Sequence, residues 1–332
     1  MDDIDLSVVI PIYRGEKTIR QSLESVLNQD VAACEIIALD DGSPDDCGEI
    51  VKSMIPRAIE KRLSLYRHEN RGLAGTLNRG IELARGKYIA RQDQDDLVMA
   101  GRLAKQKAFL DKNPDIAMVG TWAQIYVDQA PSNRFHRHPT SPDALRLFLL
   151  FDNPFVHSSV MIRADVLRSI GGYSEDPERQ PPEDYELWSR IARNYQVANL
   201  PEVLTVYREM PQSMSRSGEN PFLRKVLRIS SENIYAVIGD RYDSEDCLSL
   251  SCVYHAATGA PREIRRREAM KMLALAIERI SQTSPVPSDE FQVEATRLKR
   301  HVESRFIHRR LPGPVLTLAR SVRDRFFSRR GR

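Results

Sequence analysis

Three places in the sequence gather carboxylates in patterns able to do chemistry. Asp93, Asp95 and Asp96 stand in one short run, Asp40 and Asp41 precede Gly42-Ser43, and Glu183-Asp184 follows Pro181-Pro182. Hard oxygen ligands like the first group suit Mg²⁺ or Mn²⁺ bound together with substrate phosphates, with water filling the remaining positions. Such an ion neutralises the charge that develops as a diphosphate leaves. The Asp40 and Asp41 carboxylates can accept hydrogen bonds from a base N–H or from ribose hydroxyls. Either Glu183 or Asp184 can serve as general base, because an acceptor hydroxyl must lose a proton as it attacks a sugar carbon. Each group also has a plain structural reading. Asp favours turns, Ser43 or Asp45 can cap a helix, and acids in a first helical turn stabilise the helix dipole. Their place in the fold must decide.

The elements that would position these groups alternate from residue 6 onward between short β-branched runs and helical periods, the pattern of an α/β protein with a mostly parallel sheet. Residues 6–13 read as a buried strand, after which Ile19, Leu23 and Val26 recur at helical spacing. Residues 35–39 form a second strand ending at Asp40, and residues 63–67 a third, followed by a helix with Leu77, Ile81 and Ala84 on one face. Residues 87–92 make the next strand, which runs into Asp93; a helix then extends from about Arg102 to Asn113-Pro114. Two of the acidic groups therefore follow separate strands, at the carboxyl ends where open parallel sheets bind ligands. Residues 116–119, 124–127 and 156–162 read as shorter strands around a polar stretch rich in Pro and His, a substrate region more than a repeated unit. A helix from near Glu183 and a strand over 203–208 close the pattern. Beyond Ser217, Leu223, Val226, Leu227, Ile234 and Ile238 fall at helical spacing, so the rest is expected to be all-helical. The expected domains are 1–217 for catalysis, a helical extension over 218–304 and a basic tail over 305–332.

Composition bounds the rest. The chain has 332 residues, 41% hydrophobic and 29% charged, which suits one large domain plus an extension. No apolar stretch of about eighteen residues suggests a membrane span, and the acidic start Met1-Asp2-Asp3 lacks the features of a secretory signal. The expectation is a cytoplasmic protein. The four cysteines show no C-x-x-C pair or zinc-ligand spacing and read as reduced thiols. Net charge is +3, but residues 305–332 hold nine Arg against one Asp, so the body is acidic and the tail basic. Within 314–330, Val315, Leu318, Ala319, Val322 and Phe326 gather on one side with five arginines around them. That suits an interfacial helix on an anionic membrane surface, or else a solvated tail or subunit contact. The preceding stripe Phe291, Ala295, Leu298 and Val302 is expected to pack on the catalytic domain. No nucleic-acid module accompanies the arginines, so no nucleic-acid partner is expected.

Taken in order, Val8 to Tyr13, Asp40-Asp41-Gly42-Ser43, Asn70 to Asn78, Arg91 to Asp96 and Glu183-Asp184 resemble the family 2 glycosyltransferases of the GT-A fold over residues 5–210. Single motifs of this kind are common; five in sequence, each at the end of the right element, are not. The resemblance implies that Pro11 and Tyr13 border the nucleobase and that Asp41 bonds its polar edge, with Asp40 a second candidate. It makes Asp93 and Asp95 the D-x-D pair, Asp95 the direct ligand of Mn²⁺ or Mg²⁺ and Asp93 placed toward ribose or metal waters. Asp184 takes the role of catalytic base, with Glu183 orienting it or raising its pKa. Arg208 matches an arginine that meets the diphosphate bidentately, although Met210 stands where many relatives have His. His157 lies in a segment that faces the acceptor in the family, or is a packed core histidine. Trp188, four residues after Asp184, either roofs the acceptor site or fills the core, and the core reading is favoured.

The implied reaction is inverting transfer from a nucleotide-diphosphate sugar, a UDP-sugar by family frequency, to a saccharide or lipid-linked acceptor in polysaccharide or glycoconjugate synthesis. The implied place is the cytoplasm, peripheral on the inner face of the membrane if the tail binds lipid. Two other classes compete. A sugar-phosphate nucleotidyltransferase would open with a glycine-rich phosphate loop, where this chain has Tyr13-Arg14-Gly15-Glu16-Lys17. Against a binding protein of the same fold speak the intact Asp93, Asp95 and Asp184.

Overall fold

A computed structural model describes residues 4–31, 34–59, 62–127, 129–209 and 221–308. The chain opens with β1 (Leu6–Ile12), whose seven residues are all buried, as a strand covered on both faces requires. Then come α1 (Ile19–Leu27), β2 (Cys34–Asp40), α2 (Cys47–Met54), β3 (Leu63–Arg67), α3 (Gly72–Leu83), β4 (Tyr88–Arg91), the two-residue β5 (Leu97–Val98) and α4 (Arg102–Lys112). The helices bury the faces read from their spacing: Ile19, Leu23 and Val26 in α1, Leu77 and Ile81 in α3. Gly80 lets α3 lie close on β1, since a Cβ there would sit 2.4 Å from Val9 Cγ1. After these follow β6 (Ile116–Val127), β7 (Ala130–His136), α5 (Pro142–Phe148), a 3₁₀ turn over His157–Ser159, β8 (Met161–Arg163), α6 (Ala164–Ser169), α7 (Glu183–Asn194) and β9 (Gln196–Glu209).

The strands form one nine-stranded mixed sheet in the order β3-β2-β1-β4-β8-β6-β9-β5, with β7 also paired to β6. Its first half is parallel: β1 pairs with β2 and β4, and β2 with β3. In its second half β8 runs antiparallel between β4 and β6, while β6 and β9 pair in parallel. From β1 the chain moves outward to β2 and β3, then crosses back to β4. The order reverses beside β1, and this opens a crevice at the carboxyl ends of β1 and β4.

Three elements differ from the sequence reading. Residues 116–127 are one strand, with register shifts against β9 near Met118 and at Thr121 to Ala123 that break the alternation on which the reading depended. In residues 156–162 only the end is strand, because the 3₁₀ turn intervenes. β9 begins at Gln196, well before Val203. Pro201 and Glu202 hid this by bulging out of register between the pairs Thr121↔Leu200 and Trp122↔Val203, which spares the ladder a proline.

The fold divides into two compact units, Met1–Pro142 with Asn153–Lys225, and Asp143–Asp152 with Val226–Arg332. The first holds the sheet. The second contains most of α5 and most of α8 (Leu223–Ile238), with α9 (Ser244–His255), α10 (Arg266–Ser281) and α11 (Asp289–His308). Its core joins Ala144, Leu147 and Phe151 to Ile234, Leu250 and Met272. The Phe291, Ala295, Leu298 and Val302 stripe lies in this same core, together with Ala144, Leu147 and Phe151 from the region read as the catalytic domain. Among the described residues no helix is long and apolar enough to cross a membrane. The amphipathic segment 314–330, residue 217 and Met210 lie outside the described residues.

Candidate active site

The exit of β1 is built by bonds from both neighbouring strands. Val9 C=O accepts from Gln92 N–H (3.1 Å) on the β4 side and Ile12 C=O from Asp41 N–H (2.9 Å) on the β2 side. Alternate residues thus face alternate neighbours, and Pro11 faces the β4 side, beyond the point where that ladder stops at Val9↔Arg91. A residue without an N–H belongs there. Pro11 itself is buried, so it backs this corner of the crevice and is not on its surface. Tyr13 is 40% exposed, with the Arg14 guanidinium 5.3 Å from its ring centre. Gln94 clamps Tyr13 to the β4 exit: its Oε1 accepts from Tyr13 N–H at 2.9 Å and its Nε2 donates to Tyr13 C=O at 2.8 Å.

Asp40 and Asp41 end β2. Asp40 accepts from Ser43 N–H (2.7 Å) on one oxygen and pairs with Arg67 Nε (3.4 Å) on the other. Both oxygens have local partners, as do both oxygens of Asp41, so occupancy does not divide the two base-binding candidates. Asp41 accepts from Arg71 N–H (2.8 Å) and Gly72 N–H (3.1 Å), the free donors at the start of α3, and has His68 Nδ1 at 3.3 Å. Gly42, at φ +67°, is needed here, since a Cβ would meet Asn70 N at 2.9 Å.

At the exit of β4 the charges are dense. Arg91 is buried and its Nη2 pairs with Asp93 Oδ1 at 2.5 Å. Burial alone would raise the Asp93 carboxyl, but the Arg91 charge outweighs it and holds that pKa below the ordinary range. Asp95 has no such partner. Burial, and then the charge of Asp93, push its pKa up to about 6. Asp96 is wholly internal: it accepts from the Ser158 hydroxyl and from Arg208 N–H (2.8 Å), tying the β4 exit to the 3₁₀ turn and to β9. Burial and the two neighbouring acids raise its pKa well above normal. Arg208 is 5% exposed. Its Nη2 donates to Gln21 Oε1 (2.6 Å), while Nε and Nη1 are buried without a hydrogen-bond partner.

Opposite stands the first turn of α7. Asp184 accepts from Asn153 Nδ2 (2.8 Å) and Tyr185 N–H (2.7 Å). Burial, then the adjacent Glu183, push its pKa up to about 7. Burial also raises Glu183. His157 is driven down to about 3 by burial and by Arg91, so it is neutral; its Nε2 meets the Tyr173 hydroxyl at 2.9 Å and its Nδ1 lies 3.8 Å from Glu183 Oε1. Trp188 is fully buried, its ring 5.9 Å from His157 and 6.2 Å from Tyr173 by centroid. It is the floor beneath those side chains and cannot roof an acceptor.

The structure therefore gathers Asp93, Asp95, Arg208, His157, Glu183 and Asp184 around the β4 exit, with Asp40 and Asp41 across β1 from them. Arg91, Tyr173 and Asn153 complete the cluster, and the motif reading gave none of them a role, although Arg91 opens the run to Asp96. Tyr173 had a signal in the Gly171-Gly172 that precedes it and in Asn78, which holds its backbone through Tyr173 N–H to Oδ1 (2.8 Å) and Nδ2 to Tyr173 C=O (2.9 Å). Among the described residues no group of three His, Cys, Asp or Glu is arranged to hold a metal ion. Asp93 and Asp95 offer two carboxylates, which fits an ion such as Mg²⁺ that binds through one or two acids plus substrate phosphates and keeps its waters.

Comparison with known proteins agrees with this geometry. The model of "Glycosyl transferase family 2" matches residues 7–171. The putative glycosyltransferase EpsE of Bacillus subtilis is 33% identical over 212 residues, 64% of this chain and 75% of that one. The O-antigen biosynthesis glycosyltransferase WbnJ of Escherichia coli is 31% identical over 217 residues, 64% of this chain and 83% of that one. Among solved structures, TarS 1-349 of S. aureus in complex with UDP-GlcNAc aligns over 92% of both chains with a TM-score of 0.60 at 17% identity, a likeness of fold. With the β1, β2, β4 and α7 motifs in place on a GT-A sheet and relatives of this kind, the chain belongs to glycosyltransferase family 2.

Proposed function

We propose that the chain is an inverting, metal-dependent glycosyltransferase that moves a sugar from a nucleotide-diphosphate donor, UDP first among the nucleotides, onto an acceptor hydroxyl in polysaccharide or glycoconjugate synthesis. One observation carries the reading. Across the crevice, Arg208 keeps two buried N–H groups without acceptors beside Asp95, and Asp184 holds a carboxyl poised near neutrality. The first calls for an anion and the second for a proton. A binding protein would need only the first.

On this reading Asp184 takes the proton from the acceptor hydroxyl as its oxygen bonds to the anomeric carbon. The bond from that carbon to the diphosphate breaks, and its electron pair leaves with the nucleotide. A single displacement inverts the centre and needs no nucleophile from the enzyme. Glu183 keeps Asp184 basic enough to act, and His157 orders the acceptor side. Arg208 donates to the diphosphate, Asp41 and Tyr13 hold the base, and Asp95, with Asp93 toward its waters or the ribose, would hold Mg²⁺ or Mn²⁺ to neutralise the leaving charge.

The O-antigen relative supports a saccharide or lipid-linked acceptor, and the UDP-GlcNAc complex of TarS supports a UDP-sugar donor. The functional division is 1–217 for catalysis, 218–304 as extension and 305–332 as a tail that holds the enzyme on the cytoplasmic membrane. Thermal unfolding with UDP-, GDP- and TDP-sugars in Mn²⁺ tests the donor, because a ligand bound only by the native state raises stability. Stabilisation by none of them, or an equal shift in EDTA, refutes it.

A further inference from the structure

Two arginines lie buried side by side at the β4 exit, and they differ in one respect. Every nitrogen of Arg102 has an acceptor: Nε donates to Gln106 Oε1 (3.0 Å), Nη1 to Gln92 Oε1 (3.0 Å) and Nη2 to Arg91 C=O (3.0 Å). Arg102 is a structural cation. Arg91, only 3% exposed, spends Nη2 on Asp93 and leaves Nε and Nη1 buried with no acceptor. Folded proteins leave few such groups, and a charged donor without a partner is among the costliest.

We propose that Arg91 recognises the transferred sugar, its two free N–H groups donating to neighbouring hydroxyl oxygens of a neutral sugar. The inference rests on the transferase reading of the same site. Position supplies the first argument. Arg91 holds Asp93 of the D-x-D run on one side and has the Tyr173 hydroxyl and the Glu183 carboxylate within electrostatic reach on the other. In a single displacement the sugar must lie between the leaving diphosphate and the base. The first sits at the D-x-D run and the second beside Glu183, so Arg91 spans the interval the sugar occupies. Charge supplies the second argument. A guanidinium fork fits two adjacent oxygens, hydroxyl or carboxylate alike. Here Asp93 and Glu183 already flank it and Asp95 stands near, so a further carboxylate would meet like charges at close range. A neutral sugar with two neighbouring hydroxyls satisfies the fork; a uronic acid does not.

Calorimetry on the full chain in Mn²⁺ separates this from the parent reading. UDP and GDP are titrated first, then UDP-N-acetylglucosamine, UDP-glucuronate and GDP-mannose, against the natural chain, Arg91→Ala and Arg91→Lys. The expected result is that Arg91→Ala, which also frees Asp93, weakens the neutral nucleotide sugar about tenfold or more beyond any weakening of the bare nucleotide, and that Arg91→Lys, which keeps a cation beside Asp93, weakens it less. Bare-nucleotide binding is also the check that each variant is folded. In the natural chain alone, the neutral sugar nucleotide should bind tighter than UDP-glucuronate, a comparison that no folding defect can blur. Equal weakening of nucleotide and nucleotide sugar, no weakening of either, or tighter binding of the glucuronate overturns the role of Arg91. A natural chain that binds no nucleotide at all overturns the transferase reading and this inference with it.

Discussion

Asp184→Asn separates the catalytic reading of α7 from helix capping, because the two predict opposite things about stability. The unfolded chain releases the Asp184 proton near pH 3.8, while burial and Glu183 let the folded chain keep it to about pH 7. Between those values the folded state binds the extra proton. Stability is therefore full below the unfolded pKa, falls as pH rises through the window and has been lost above about 7. The difference of about 3 pKa units corresponds to no more than about 4 kcal/mol at 1.36 kcal/mol per unit, less for a side chain that keeps some solvent. Asparagine removes this penalty, but its amide nitrogen would face either Asn153 Nδ2 or the Tyr185 N–H, both donors. Asn153 cannot turn over freely, since its Oδ1 accepts from Phe155 N–H at 3.0 Å. That mismatch costs about 1 kcal/mol. Denaturant unfolding should then find Asp184→Asn more stable than the natural chain at pH 8, by up to about 3 kcal/mol, and slightly less stable at pH 4. Turnover should fall by about 10² or more with donor binding nearly unchanged, and the acidic limb of the pH profile, near 7 in the natural chain, should vanish. Natural turnover combined with lower stability at every pH would return Asp184 to capping and refute the reasoning.

Three more expectations follow from the geometry. Asp95→Asn should abolish the metal dependence of donor binding and weaken it to the level seen in EDTA, as read by calorimetry with Mn²⁺ or Mg²⁺; equal affinity of the natural chain in EDTA would sink the assignment. Gly172→Ala should destabilise the fold by about 1–3 kcal/mol, because the residue sits at φ +68° and a Cβ there would lie 2.5 Å from Asn78 Oδ1, the atom that holds Tyr173 N–H. An unchanged unfolding midpoint would show that the clamp does not matter. Removal of residues 312–332 should release the protein from anionic vesicles in a sedimentation assay, since each of five arginines near such a surface contributes about 1 kcal/mol; equal pelleting of the shortened chain would refute the membrane role.

Most of the sheet's first half was legible because covered parallel strands must be apolar throughout and the intervening helices must show one apolar face. β3 falls on residues 63–67 as read, and α7 begins at Glu183 as read. The second half was harder for a definite reason. β6 and β9 carry register shifts, and a bulge at Pro201-Glu202 removes the alternation on which strand reading depends. The carboxylates were legible as groups, since turns concentrate them after strands. Their division of labour was not. Sequence cannot tell that Asp93 is paired with Arg91 at hydrogen-bond distance while burial and Asp93 push Asp95 up to about 6. Arg91 was hidden for a similar reason. A buried arginine looks the same in sequence whether its nitrogens find acceptors, as those of Arg102 do, or lack them.

The proposed need for a metal rests on the charge of the crevice more than on the D-x-D pattern. Among the described residues, Asp93, Asp95, Asp96, Glu183 and Asp184 lie near the guanidiniums of Arg91, Arg102 and Arg208 at the β4 exit, an excess of acid if all are ionised. Burial and a neighbouring acid push Asp95 and Asp184 up to about 6 and about 7, while Asp93, paired with Arg91, stays ionised. A nucleotide-diphosphate sugar adds more negative charge to this site. Arg208 alone cannot offset it, because its charge is shared with Asp95 and Asp96. A divalent cation arriving with the diphosphate leaves the local balance nearly as it was, so Asp184 can stay close to its apo pKa and still take a proton at neutral pH. Donor without metal would raise that pKa further and hold the base protonated. Metal dependence should therefore show in turnover at neutral pH and weaken as pH rises, and an EDTA-treated enzyme whose residual activity is flat with pH would contradict this account.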